Sequence, residues 1–279
     1  MILSQHEAAC EGDFTMKTVR IAGTSLEPLS PESESIKDWI ISSENYLQGI
    51  IDKTAYSIGA ILGDGHMRYI PSHGNGSWYS TELAGMDIEV LEKFQSEILF
   101  AFGKSYPIYT KRLKSGIDFF TVRASSGPIH HFFWGITSGK QEIPSEIFRS
   151  SDDTKRSFVA GLMDTDGTVK LNETWNGSKT NKNPRWQLGF ANTKLGIVES
   201  LASLLHSMGV KVGNIQSTPR GSYRTIYNIH PNIRSFIDAG FYFQAKRKQE
   251  RLNDYLLHVV GSETMHTASV TSDEDIVRS

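Results

Sequence analysis

Two aspartates in this chain stand directly before glycine at the ends of similar apolar stretches, 102 positions apart. Asp64 closes SIGAILGDG (57–65) and Asp166 closes VAGLMDTDG (159–167). A carboxylate at the C-terminal end of a helix opposes the macrodipole, so a duplicated one needs a reason. Two such groups forced together repel unless a cation is bound between them. Hard divalent ions with oxygen ligands suit that place, and hydrated Mg²⁺ keeps waters that can serve as a nucleophile. The spacing also says how the groups could meet. Gly59 and Gly63 lie on one helix face, and Gly161 with Thr165 repeats the interval. Small residues four apart let two helix backbones approach closely. A single Asp-Gly is most often an ordinary helix end; a matched pair in repeats is not.

The elements that must carry these residues repeat as well. In the first half, 54–66 is a helix capped by Asp52, followed by strands at 66–71 and 77–84 around SHGNG. Asp87–Phe102 is an amphipathic helix stopped by Gly103. Strands YPIYTKRL and IDFFTVRA flank Lys114-Ser115-Gly116, and 128–137 is a short helix. In the second half the helix is 156–167, with Asp152 and Asp153 near its positive end. Strands TVKLNETW and PRWQLGFAN follow, then a helix from Leu195 to Met208 stopped by Gly209. VKVGNIQS and YRTIYNIH pair around Pro219-Arg220-Gly221, and Asn232–Phe241 closes the unit before KRKQERL (246–252). The expected fold is α/β (α+β): two pseudo-symmetric αββαββα domains with antiparallel sheets. The boundaries read as an N-terminal extension 1–50, domains 51–150 and 151–260, and an acidic disordered tail 261–279. Within the extension, 22–35 is a Ser/Pro/Glu-rich linker and Ile36–Ile51 a short separate helix.

VAGLMDTDG differs from the LAGLIDADG pattern at three of nine positions, each conservatively. SIGAILGDG departs further, with Leu62 where the first aspartate would stand, but keeps Gly59, Asp64 and Gly65. The chain over about 52–252 therefore resembles the single-chain, two-motif LAGLIDADG homing endonucleases. That resemblance implies a monomer whose two sheets form a saddle over about two turns of double-stranded DNA. It also implies metal-dependent hydrolysis of one phosphodiester in each strand across the minor groove, leaving short 3′ overhangs, and an intron-encoded gene. Asp64 and Asp166 would be catalytic and, with Gly63 and Thr165, would bind two or three Mg²⁺ or Mn²⁺ ions. KRKQERL resembles the basic segment that holds the family's catalytic lysine; register favours Lys246, with Lys140 in GKQEIP as the first-half counterpart. Such a lysine would stabilise charge at the scissile phosphate or orient water. Asn192 and Asp87 are candidate water-organising residues, and Asp164 is expected to cap or hydrogen-bond the partner helix.

Strand alternation places a row of polar side chains on one face of each sheet. His66, Arg68, Lys111, Arg112 and Arg123 in the first half, and Thr168, Lys170, Asn172, Arg185, Gln187, Arg220, Arg224 and Lys248 in the second, are the expected DNA-binding residues. Such groups read base edges or hold phosphates, although any half-exposed sheet alternates in this way. Net charge is −2 overall, but its distribution matters more. Residues 168–250 carry 12 basic and 4 acidic side chains, against 12 and 14 over 51–167.

Other classes are excluded or demoted. One cysteine, Cys10, rules out an intrachain disulfide framework and a cysteine-built zinc site. Glu7, Glu11 and Asp13 at an N-terminus without an apolar run argue against a secretory signal, and no stretch suits a membrane span. The protein is expected inside the cell, in cytoplasm or nucleoid, with an organelle still open. There is no phosphate-cradling P-loop and no Rossmann fingerprint. Two other functions fit the same fold: a maturase that binds the intron RNA encoding it, and a DNA-binding regulator without catalysis. Retention of both acids favours the nuclease.

Overall fold

The computed structural model describes residues 36–71, 78–172, 185–220 and 224–258, with side chains from 43 onward. The first unit runs α1 (Ile36–Gly63), β1 (His66–Ile70), β2 (Trp78–Gly85), α2 (Ile88–Phe102), β3 (Ile108–Arg112), β4 (Asp118–Ala124) and α3 (Gly127–Ile136). A short α4 (Ser145–Arg149) links it to the second: α5 (Asp152–Asp166), β5 (Gly167–Asn172), β6 (Arg185–Asn192), α6 (Leu195–Ser207), β7 (Gln216–Arg220), β8 (Arg224–Ile229) and α7 (Ile233–Asp238). A further helix, α8, covers 246–258. The sheets have the same topology, β1-β2-β4-β3 and β5-β6-β8-β7, and every pairing is antiparallel. This is the α+β, two-unit architecture that the repeat implies.

The helices α1 and α5 form the axis between the units because their C-terminal halves are apolar on nearly every side. Tyr56, Ile58, Ala60, Ile61 and Leu62 of α1 and Phe158, Val159, Ala160, Leu162 and Met163 of α5 are fully buried. A helix apolar all round must be covered all round, here by its partner helix and a sheet. Glycine makes the contact possible. A Cβ on Gly59 would lie 2.1 Å from the Phe158 carbonyl oxygen, and one on Gly161 would lie 2.0 Å from that of Tyr56. Along the strands, Leu83, Val122, Ala124, Val169, Leu188, Phe190 and Ile229 turn inward, and their neighbours form the opposite faces.

Three expectations are corrected. The helix over Ile36–Ile51 and the motif helix are one continuous α1 of 28 residues, so Asp52 is not a cap at a break. Its Oδ1 instead accepts from Gln48 Nε2 and from Thr154 Oγ1 in the first turn of α5, both at 2.9 Å. The carboxylate thus supports the positive end of the partner helix. The strand expected over 210–217 lies later, at 216–220. Val210 is in the core and Val212 makes only an isolated bridge to Pro231, so the two valines imitate a strand while plugging the end of the unit. Pro219 lies within β7, opposite Thr225. The linker 22–35, the SHGNG turn (72–76), residues 173–175 and the tail 261–279 lie outside the described residues.

Candidate active site

Both aspartates reach the same end of the α1–α5 axis. Gly65 and Gly167 turn the chain there from helix into strand. Gly167 has φ −86°, so its glycine is needed for close approach and not for a left-handed turn. A Cβ would lie 2.4 Å from the Met163 carbonyl oxygen, and at Gly65 it would lie 2.4 Å from Ile61 Cα. The Asp166 carboxyl carbon stands 3.5 Å from where a Cβ on Gly63 would be, which brings it against the residue preceding Asp64. Burial and then the negative charge of Asp64 push the Asp166 pKa up to about 6. Its Oδ2 accepts from Asn192 Nδ2 at 2.6 Å. The site therefore stores the repulsion that a bound cation relieves.

Among the described residues, no three His, Cys, Asp or Glu side chains converge. A cation here would be held by two carboxylates, with backbone carbonyls and water completing its shell. Magnesium accepts such a set, whereas zinc sites need more protein ligands. Of the two other expected ligands, the Gly63 carbonyl accepts a hydrogen bond from Lys140 Nζ. The Thr165 hydroxyl donates within its own helix, to Gly161 and Leu162.

Two lysines close the helix ends. Lys140 Nζ donates to the carbonyls of Gly63 at 2.6 Å and Gly65 at 2.8 Å. It stands close enough to Asp166 and Asp64 for both to oppose the downward shift that burial gives its pKa. The segment presenting it is left-handed at Ser138 (φ 45°), Gly139 (φ 64°) and Lys140 itself (φ 68°). In the second unit the corresponding ammonium belongs to Lys248, not Lys246. Lys248 Nζ donates to the carbonyls of Met163 (3.0 Å), Asp164 (2.6 Å) and Gly167 (2.7 Å). Lys248 is 4% exposed, and burial lowers its pKa to about 8. A lysine so enclosed is not on a DNA-facing surface, which corrects its expected role. Lys246 lies exposed at the start of α8, because helical spacing turns it away from the α5 end. The cations satisfy orphan helix carbonyls and offset the negative helix ends beside the aspartates.

Asp164 is buried, and its carboxylate does hydrogen-bond the partner helix: Tyr56 Oη donates to Oδ2 at 2.8 Å. It also accepts the backbone N–H groups of Gln244 (2.8 Å) and Ala245 (3.1 Å), which the sequence did not suggest. Asp87, at the N-cap of α2, takes a two-pronged ion pair from Arg247 at 2.6 and 2.8 Å. It tethers the two units.

The sheet faces carry most of the remaining polar residues. Across the first sheet, His66, Glu82 and Arg123 stand in one row. Arg123 Nε donates to Glu82 at 2.6 Å and Arg68 Nε to His66 at 2.5 Å. Glu82 was not anticipated; only the strand register reveals it opposite Arg123. Lys111 shares this face, whereas the adjacent Arg112 alternates to the other and bonds the Gly116 carbonyl. On the second sheet Thr168, Lys170, Asn172, Arg185 and Gln187 share one face. Asn172 Nδ2 donates to Gln187 Oε1 at 2.8 Å, and Gln187 Nε2 reaches His230. Arg220 and Arg224 are directly opposed and exposed. Like charges placed opposite each other destabilise a sheet, so this pair is suited to an anion.

Residues 153–267 match the family model described as a LAGLIDADG-like domain. The second unit is a LAGLIDADG-like domain. Solved structures are similar to the chain as well. An I-DmoI variant in complex with its target DNA in the presence of Mn has a TM-score of 0.50 at 15% identity, covering 72% of this chain and 98% of that one. The meganuclease I-SmaMI bound to uncleaveable DNA matches with a TM-score of 0.49 at 14% identity, covering 79% and 95%. I-LtrWI, a LAGLIDADG homing endonuclease bound to target DNA, matches at 0.47 and 13%, covering 78% and 92%. The LAGLIDADG motif helix of the matched domain is α5, and α1 is its counterpart across the axis. No helix among the described residues is long and apolar enough to cross a membrane.

Proposed function

We propose that the chain is a divalent-metal-dependent homing endonuclease that cuts both strands of a long DNA duplex as a monomer. The observation that carries this reading is the delivery of Asp64 and Asp166, one per repeat, to a shared end of two helices in backbone contact. Asp64 and Asp166 would hold Mg²⁺ or Mn²⁺, with two or three ions shared between the half-sites. When bound, such ions supply Lewis acidity and a water acidic enough to attack phosphate at neutral pH. Asn192 fixes one oxygen of Asp166 and leaves the other for a ligand or water. Lys140 spends two of its three N–H groups on carbonyls, which leaves one for a phosphate oxygen or a water. Each half-site serves one strand, because a two-fold axis through the α1–α5 contact matches the antiparallel strands of a duplex. His66, Arg68, Lys111 and Arg123 on one sheet, and Thr168, Lys170, Asn172, Arg185, Gln187, Arg220 and Arg224 on the other, face the DNA. Groups already hydrogen-bonded, such as Gln187 and Arg123, enter the groove with their geometry set.

The test is cleavage of a duplex selected from a randomised library, with Mg²⁺ or with EDTA. Wild type should cut both strands only with the metal, and Asp166→Asn should lose scission while still binding DNA. Undiminished cleavage by Asp166→Asn would refute the catalytic assignment.

A further inference from the structure

We infer that Tyr56 and Asp164 are positioning residues of the second half-site only, acting through Lys248. This rests on the endonuclease reading and concerns how one of its two half-sites is assembled. The Asp164 carboxylate collects three donors, Tyr56 Oη at 2.8 Å and the N–H groups of Gln244 at 2.8 Å and Ala245 at 3.1 Å. The two amides belong to the turn that enters α8. Three residues beyond Ala245, Lys248 runs back under α5 and donates all three of its protons to the carbonyls of residues 163, 164 and 167. Asp164 therefore grips α8 through its carboxylate while its own carbonyl accepts the lysine that α8 delivers. Tyr56, from α1, fixes the carboxylate's orientation. Lys248 and Lys140 act on equivalent carbonyls, Gly167 and Gly65.

The first half-site is built otherwise. Positions related to Tyr56 and Asp164 by the 102-residue repeat are Phe158 and Leu62, both apolar and fully buried. No carboxylate can hold the Lys140 segment there. That lysine is delivered by the left-handed run at 138–140, which is held by the Lys140 N–H to the Thr137 carbonyl (2.7 Å) and the Gly139 N–H to the Trp134 carbonyl (3.1 Å). Two lysines that bind equivalent carbonyls, those of Gly65 and Gly167, depend on different supports, so damage to one support should fall on one strand.

The experiment follows each strand separately on an end-labelled duplex, beside DNA affinity in EDTA and thermal unfolding. Asp164→Asn keeps an accepting oxygen, Asp164→Leu copies the first half, and Tyr56→Phe removes one donor. Asp164→Leu should slow one strand by roughly tenfold or more, as loss of an outer supporting group does. Nicked duplex should accumulate while affinity stays unchanged. Asp164→Asn and Tyr56→Phe should bias the same strand less, Lys248→Met should bias it too, and Lys140→Met should slow the other. Amide exchange at Gln244 and Ala245 should quicken in the Asp164 variants. Should Asp164→Leu fail to fold, Tyr56→Phe and Asp164→Asn decide. Equal slowing of both strands, or no strand bias where Lys248→Met shows one, overturns the inference. A wild-type protein that cuts no duplex overturns the endonuclease reading instead, and this inference with it.

Discussion

Gly161→Ala sets two effects of known size against each other. In an isolated helix, alanine for glycine stabilises by about 1 kcal/mol. Here the new Cβ would lie 2.0 Å from the Tyr56 carbonyl oxygen, 2.9 Å from its carbon and 3.0 Å from Ala60 N. All three are backbone atoms of α1, so no side chain can rotate away. Relief requires α1 and α5 to separate by on the order of 1 Å, and overpacking of this kind costs about 1–3 kcal/mol or more. Taking the upper figure and subtracting the propensity gain leaves a net loss of about 2 kcal/mol. For two units that share one core and unfold together as roughly 200 residues, that lowers Tm by roughly 4–8 °C. The same separation pulls Asp166 away from Asp64, and a 1 Å misplacement can cost about 100-fold in rate. Gly85→Ala is the control, since its Cβ would meet only Leu91 Cδ2 at 4.0 Å. Differential scanning calorimetry and a strand-cleavage time course measure both quantities. A Tm equal to or above wild type in Gly161→Ala, with cleavage intact, would refute the backbone contact on which the proposed site depends.

The Asp166 pKa of about 6 gives a pH prediction. A carboxylate raised in the folded state adds stability below its unfolded pKa, near 4, and that contribution is lost as pH rises through about 6. Metal should therefore raise Tm more at pH 7.5 than at pH 5.5, and cleavage should fall below pH 6; a Mg²⁺ effect on Tm independent of pH would contradict this. Arg220→Ala and Arg224→Ala should each reduce the salt slope of DNA affinity by about one, as loss of a phosphate contact does; an unchanged slope in filter binding would remove them from the interface. Breaking the Arg247–Asp87 tether with Asp87→Asn should cost no more than about 1 kcal/mol, because the Arg247 side chain is 48% exposed; urea titration measures it, and a loss above 3 kcal/mol would show a deeper role.

Much of this was legible because the fold is written twice. Strand alternation and helix stops set the order of elements, and the repeated Asp-Gly marked the place where the units meet. What failed was local information used without a partner. Val210 and Val212 alternate like a strand, yet their partners are the core and Pro231. Nothing in the sequence from Ile36 to Ile51 says that the helix continues, since what stabilises residues 48–52 comes from Ser150, at the end of α4, and from Thr154 of the other repeat. That Lys248 and not Lys246 reaches the α5 carbonyls has a geometric reason. Register within KRKQERL assumes a chain direction, whereas the side chain that reaches α5 is decided by where Asp164 holds residues 244 and 245. Glu82 and the Gln187–His230 contact were invisible because cross-strand pairs follow from register, not from sequence proximity.

The two half-sites thus share a topology without sharing their chemistry. Asp64 and Asp166 are matched, and each is closed from behind by an ammonium on the same type of carbonyl. Around that core the first unit uses Leu62, Phe158 and a left-handed lysine segment, and the second uses Asp164, Tyr56 and a helix. Asn192 holds Asp166, while the strand position related to it is Gly85, with no side chain to hold Asp64. A homodimer would be bound to identical surroundings at both sites. A single chain with two repeats can hold the two aspartates to one purpose while their supports, and the sheet faces beyond them, diverge. Such divergence is tolerable only if the α1–α5 contact keeps the carboxylates in place whatever surrounds them, which is why its glycines admit so little change.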